Sequence, residues 1–198
     1  MYTNVHNMFY SYIWATILFI LLKQNKKIFK TDDLALLWGI TNRNTLLTTI
    51  KRYLKKEILY SIRKGVYSVI QPDKLNPCLL GTAYVTGFCY VSLQTVLSQE
   101  NLINQEPNAI MLIGNRTLNF NIGNNQYICR KMKSKLLHNL VGIDLNQEFP
   151  IATIERAIVD ILYYNPNFYF DKDISKYQNK IKLIQKELLT WKLHTKKT

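Results

Sequence analysis

Between Thr41 and Arg52 the chain offers amide, hydroxyl and guanidinium groups at helical spacing and not one carboxylate. Asn42, Arg43, Asn44, Thr45 and Thr48 are of the types that hydrogen-bond base edges in a major groove. Thr41, Lys51 and Arg52, with Arg63 and Lys64 at a later turn, are of the types that hold backbone phosphates. No Asp or Glu lies between Asp33 and Glu57, so nothing along this stretch repels an anion. The chemistry expected here is recognition of a polyanion.

Other constellations read as structural. Glu155, Arg156 and Asp160 share one predicted helix, but acid–base catalysis would want convergent acids or a histidine in a cleft. Glu155 instead suits the positive helix start, and Arg156 is spaced to pair with Asp160 at i, i+4. Ser92 has no G-x-S-x-G context and reads as a helix cap. Cys78, Cys89 and Cys129 form no C-x-x-C pair, and His6, His138 and His194 no metal-ligand spacing. Cys89 and Cys129, set among apolar and β-forming residues, read as inert core thiols. Neither a P-loop nor a dinucleotide glycine fingerprint occurs, so no cofactor and no enzymatic activity are expected.

The charge balance agrees. Lys and Arg number 26 against 13 Asp and Glu, a net +13 with a pI near 9.6. Nucleic acid is the first partner such a charge suggests and anionic membrane the second. The distribution is uneven. Residues 1–70 hold 11 cations and 3 acids, residues 71–171 hold 7 and 8, and residues 172–198 hold 8 and 2. The longest apolar run, Tyr12 to Leu22, falls short of the roughly 20 residues a spanning helix needs. A soluble, cytoplasmic chain with no membrane partner is expected.

These residues need elements to position them. Tyr10–Gln24 reads as a helix. A second starts at Thr31 as cap, with Asp32 and Asp33 in its first turn, a buried stripe of Leu34, Leu37 and Trp38, and Gly39 as its stop. A third follows from Thr41 as cap through Lys55, with Leu46, Leu47, Ile50 and Leu54 inside. Two short helices joined by a tight glycine turn are a helix-turn-helix pattern. Ile58–Ile62 and Val66–Ile70 around Arg63-Lys64-Gly65 form a hairpin with two cations at its tip, the wing of a winged helix. Pro72 and Pro77 then interrupt the chain.

Farther on, Ser92 opens a helix with Val96 and Leu97 buried. Ala109–Ile113, Thr117–Ile122 and Gln126–Lys131 read as strands, the last two as a hairpin around Gly123-Asn124-Asn125. Thr153 caps a helix with Ile154, Ala157, Ile158, Ile161 and Leu162 on its inner face. The tail repeats Ile174, Tyr177, Ile181, Ile184, Leu188 and Trp191 among lysines, a basic amphipathic helix that could dock on the body, contact DNA, form a dimer seam or adsorb to lipid.

The order of these motifs resembles the AbiEi-type antitoxins of type IV toxin–antitoxin systems. The resemblance rests on the amino-terminal winged helix with Arg63-Lys64-Gly65-Val66-Tyr67, the Tyr90-Val91-Ser92-Leu93 segment, and Ile151-Ala152-Thr153-Ile154-Glu155-Arg156-Ala157-Ile158-Val159-Asp160 with Tyr163. Ile154 stands where many members have proline. The resemblance implies a repressor that binds promoter inverted repeats, with possible homo-oligomerisation on DNA, and counteracts a co-encoded nucleotidyltransferase-like toxin. The expectation is thus an α+β protein: a winged helix-turn-helix DNA-binding domain over 1–71, a mixed α/β antitoxin-like domain over 72–170, and a basic amphipathic carboxy-terminal helix over 171–198. Rival readings are a peripheral membrane protein using that tail, and a winged-helix adaptor that binds protein.

Overall fold

The computed structural model describes residues 21, 23, 24 and 26–193, with side chains through Leu188. Of the helix expected over residues 10–24, all but Leu21, Lys23 and Gln24 lies outside the described residues; Leu21 is fully buried. The chain divides into two compact units, Met1–Leu75 and Asn76–Thr198.

In the first unit β1 (Ile28–Lys30) runs straight into α1 (Thr31–Trp38), followed by α2 (Arg43–Lys55), β2 (Tyr60–Arg63) and β3 (Val66–Ser68). The three strands form an antiparallel sheet in the order β1-β3-β2. Thr31 is not the cap of α1. Lys30 holds that position as the last residue of β1, and the Asp33 carboxylate accepts its backbone N–H at 2.9 Å. Asp33 also meets Lys26 at 2.7 Å. Gly39 ends α1 in the left-handed region at φ 62°, where a side chain would be strained. Thr41 is not the cap of α2. Asn42 is, its side-chain oxygen accepting the N–H groups of Asn44 and Thr45 at 2.9 and 3.1 Å. Leu34, Leu46, Ile50, Tyr53, Leu59, Phe29 and Tyr67 make one core, and Trp38 stacks on Tyr53 at 5.2 Å. Leu47, expected inside, is 43% exposed, because one residue on from Leu46 it turns about 100° away from the inner face that Leu46, Ile50 and Tyr53 form.

The second unit centres on a six-stranded mixed sheet in the order β6-β7-β5-β4-β9-β8. Its strands are β4 (Tyr90–Val91), β5 (Ile110–Gly114), β6 (Leu118–Ile122), β7 (Asn125–Lys131), β8 (Ile143–Asp144) and β9 (Ile151–Ala152). Four longer or shorter helices pack with it: α3 (Pro77–Tyr84), α4 (Gln94–Gln99), α5 (Ser134–Leu137) and α6 (Ile154–Tyr164). α7 (Gln178–Leu193) follows a 3-10 turn and belongs to the same unit. Thr153 caps α6 as expected, accepting the Arg156 N–H at 3.3 Å. α6 is buried from Glu155 through Ile161, a wider face than the apolar stripe alone suggested. The three strands expected over 109–131 form within a residue or so of their predicted bounds.

Ser92 is not a helix cap. Its hydroxyl is buried and donates to Asp160 at 2.8 Å, while Leu93, at φ 58° and itself buried, sits at the start of α4.

Candidate nucleic-acid interface

α2 forms because Asn42 satisfies two of its first amides and because Leu46, Ile50 and Tyr53 supply an inner face at helical spacing. The opposite ridge carries Asn44, Thr48, Lys51 and Lys55 at i, i+4, i+7 and i+11, all exposed. Thr45 and Arg52 flank this ridge on one side, and half-exposed Leu47 on the other. Arg43 is exposed about a quarter turn away. Among the described residues Arg43, Lys51, Arg52 and Lys55 have no ion-pair partner.

Not every residue singled out in the sequence stands on that ridge. Thr41 is exposed in the connection before the helix. Asn42 is exposed, but its oxygen is engaged by the helix start, which leaves its amide N–H groups to face outward. The Thr49 hydroxyl turns back to the Thr45 carbonyl at 2.8 Å. Lys55 completes the ridge; its i+4 and i+7 relation to Lys51 and Thr48 was the signal that would have found it.

The hairpin tip is tighter than expected. Arg63 belongs to β2, so the turn is Lys64-Gly65 alone, with Gly65 at φ 82°. The Gly65 carbonyl accepts the Thr31 N–H at 3.1 Å, which ties the turn to the start of α1. Lys64 is exposed; Arg63 is half-buried and donates to the Lys64 carbonyl at 3.2 Å. Helix and hairpin share one core through Ile50 and Tyr67, so the cations of both are mounted on a common rigid base.

In the second unit the motif residues around α6 form a sealed network. Arg156 Nε donates to Asp160 at 2.9 Å, with side chains 0% and 1% exposed. Arg156 Nη1 donates to the carbonyls of Asn139 and Val141, and Nη2 to the Tyr90 hydroxyl and the Leu136 carbonyl. All five guanidinium N–H groups are therefore satisfied. The second Asp160 oxygen accepts from Tyr90 at 3.0 Å and Ser92 at 2.8 Å. Burial raises the Asp160 carboxyl above its ordinary value, and the Arg156 guanidinium with the Ser92 and Tyr90 hydroxyls opposes that rise. With the side chains of Tyr90, Ser92, Arg156 and Asp160 all buried, the network cross-links α6, β4 and the 136–141 segment.

Other features offer an anion little. A groove of about 720 Å³ beside β7 is lined by amides and aromatics, with Arg130 offset by Glu106 and Asp171. Of the apolar stripe of the tail, Ile181, Ile184 and Leu188 are buried in the core of the second unit, Ile174 and Tyr177 are half-buried against it, and Lys180 meets Glu155 at 3.1 Å. Cys78, Cys89 and Cys129 are buried free thiols, and burial pushes Cys89 up to about 12. Among the described residues no helix is long and apolar enough to cross a membrane, and no cluster of His, Cys, Asp or Glu could hold a metal ion. No protein-family model matches this chain, and no curated protein matches it with significant similarity.

Proposed function

We propose that the first unit is a winged helix that binds duplex DNA in a sequence-specific manner and represses transcription. The observation that carries this reading is the acid-free outward ridge of α2, Asn44-Thr48-Lys51-Lys55, flanked by Thr45 and Arg52. An α-helix of this width fits a B-form major groove, where amides and hydroxyls meet base edges and cations meet phosphates. Asn44, Thr45 and Thr48 are the base-reading residues, with Arg43 and the free amide of Asn42 at the helix start. Lys51 and Arg52 face the phosphates, joined by Lys64 and the partly covered Arg63 from the hairpin, which serves as the wing. The order β1-α1-α2-β2-β3 with a three-stranded antiparallel sheet supports the winged-helix reading.

The role of antitoxin rests on the resemblance in motif order. Within it Thr153, Arg156 and Asp160 serve the fold, one as a cap and two as the buried pair. The motif thus supports a shared scaffold, and neutralisation of a nucleotidyltransferase-like toxin is proposed on kinship alone. Co-expression with a neighbouring nucleotidyltransferase-like reading frame tests it: rescue of growth supports the role, and undiminished toxicity contradicts it. DNA binding is tested separately, by fluorescence anisotropy of the intact chain on duplex from its own promoter against scrambled duplex. Preference for the promoter supports a repressor; equal affinity or none contradicts it.

A further inference from the structure

Among the described residues the two sheets have four edge strands, and three are blunted. β8 has two residues and ends on Asp144; β1 has three and ends on Lys30; β2 carries Arg63 and a register shift after Ser61. Short length, charge and bulges are the devices that stop edges from pairing. β6 has none of them. Its five residues, Leu118-Asn119-Phe120-Asn121-Ile122, pair in unbroken register with β7 on one side and meet no strand on the other.

We propose that β6 is a homodimer interface, pairing antiparallel with β6 of a second copy of this chain about a two-fold axis at Phe120. The sequence is self-complementary in that register. Leu118 falls opposite Ile122, Asn119 opposite Asn121 and Phe120 opposite itself, so apolar meets apolar on one face and amide meets amide on the other. The hydrogen-bonding phase agrees. Ile122 and Asn125 close the two-residue turn Gly123-Asn124 as a bonded pair, so residues 118, 120 and 122 direct their backbone groups to β7. Asn119 and Asn121 then direct theirs outward, and the two copies exchange four bonds there. Phe120 sits at the non-bonded position on the axis, where side chains approach closest. It extends an aromatic stack with Tyr84 at 4.3 Å and Tyr127 at 4.8 Å.

Charge selects a second copy over other strands. In a chain of net +13, residues 117–129 carry no charge at all, and the nearest cations are Arg116 and Arg130. In the proposed register Arg116 faces Asn124 of the partner copy, so no like charges oppose each other. The dimer does not depend on the first unit binding DNA.

Sedimentation velocity of the intact chain, without nucleic acid and in high salt, tests the proposal. The expected mass rises with concentration toward twice the 23.3 kDa of one chain. Asn121→Pro removes an outward N–H, and the double variant Asn119→Lys/Asn121→Lys sets like charges opposite each other; both are expected to stay at the single-chain mass. A wild-type chain that remains single at every concentration overturns the proposal, as does a dimer that survives in both variants. Should the variants not fold, hydrogen exchange of the wild type decides. Concentration-dependent protection of the Asn119 and Asn121 amides supports the interface, and unchanged exchange overturns it.

Discussion

The Asn42 side-chain oxygen accepts the backbone N–H of Asn44 at 2.9 Å, so the residue that begins the candidate recognition helix also holds it closed. Asn42→Ala is expected to lower stability by about 1 kcal/mol, the usual worth of such a cap. Asn44→Ala, on the outward ridge, is expected to leave stability within about 0.5 kcal/mol of the wild type and change the preferred DNA sequence. Urea denaturation of both variants checks the pair, and the reverse ranking would reassign the two residues.

Arg156 and Asp160 form a buried pair with every guanidinium donor satisfied. Asp160→Asn keeps the shape but leaves the guanidinium uncompensated, and is expected to cost about 3–5 kcal/mol. Urea denaturation reads this directly. A loss below about 1 kcal/mol would place the pair in a wetter setting than its burial indicates.

Glu155 supplies a pH dependence of known sign. Burial pushes its carboxyl up, but a backbone N–H, Lys180 and the Thr153 hydroxyl outweigh that and hold it below its ordinary value. A depressed folded-state pKa contributes stability that is present above the unfolded value and lost as pH falls through the folded one. Glu155→Gln is therefore expected to be less stable than the wild type at neutral pH, with the difference closing as pH falls through the lowered folded-state value of Glu155. Asp160 runs the other way, since burial raises it and protonation relieves that cost; the comparison at Glu155 leaves it unchanged in both proteins. Denaturation midpoints across this range measure the difference.

The three thiols are buried, with Cys89 pushed up to about 12 and Cys129 to about 11 by burial. An aromatic disulfide reagent at mildly alkaline pH is expected to find no reactive thiol in the native chain and three after unfolding. Rapid native labelling would place at least one of them at the surface.

Local signals in the sequence located most long elements. Leu46 and Ile50 set the phase of α2, Gly123-Asn124-Asn125 marked the β6–β7 hairpin, whose turn proves to be Gly123-Asn124 alone, and Thr153 fixed the start of α6. What escaped depends on distant partners. β1, β4, β8 and β9 have two or three residues each, too few for any periodicity, and exist because a neighbouring strand lies beside them. Ser92 has the chemistry of a cap, and only the approach of Asp160, 68 residues away, turns its hydroxyl inward. Thr41 and Asn42 are both good caps, and the extended backbone of Asn42 decides between them. At the candidate interface the residue types were legible from the start. That Leu47 is exposed and Arg63 half-covered was not, because both follow from how α2 and β2 seat on the shared core.

The salt dependence of duplex binding tests the account most directly. Log affinity against log salt concentration is to be measured for the wild type and for Lys51→Ala, Arg52→Ala and Lys64→Ala on promoter and scrambled duplex. Each phosphate-facing cation removed is expected to weaken binding on both duplexes alike and to reduce the slope by about 1. Wild-type affinity and slope in all three variants would contradict the assignment of α2 and the hairpin turn as the DNA-binding surface.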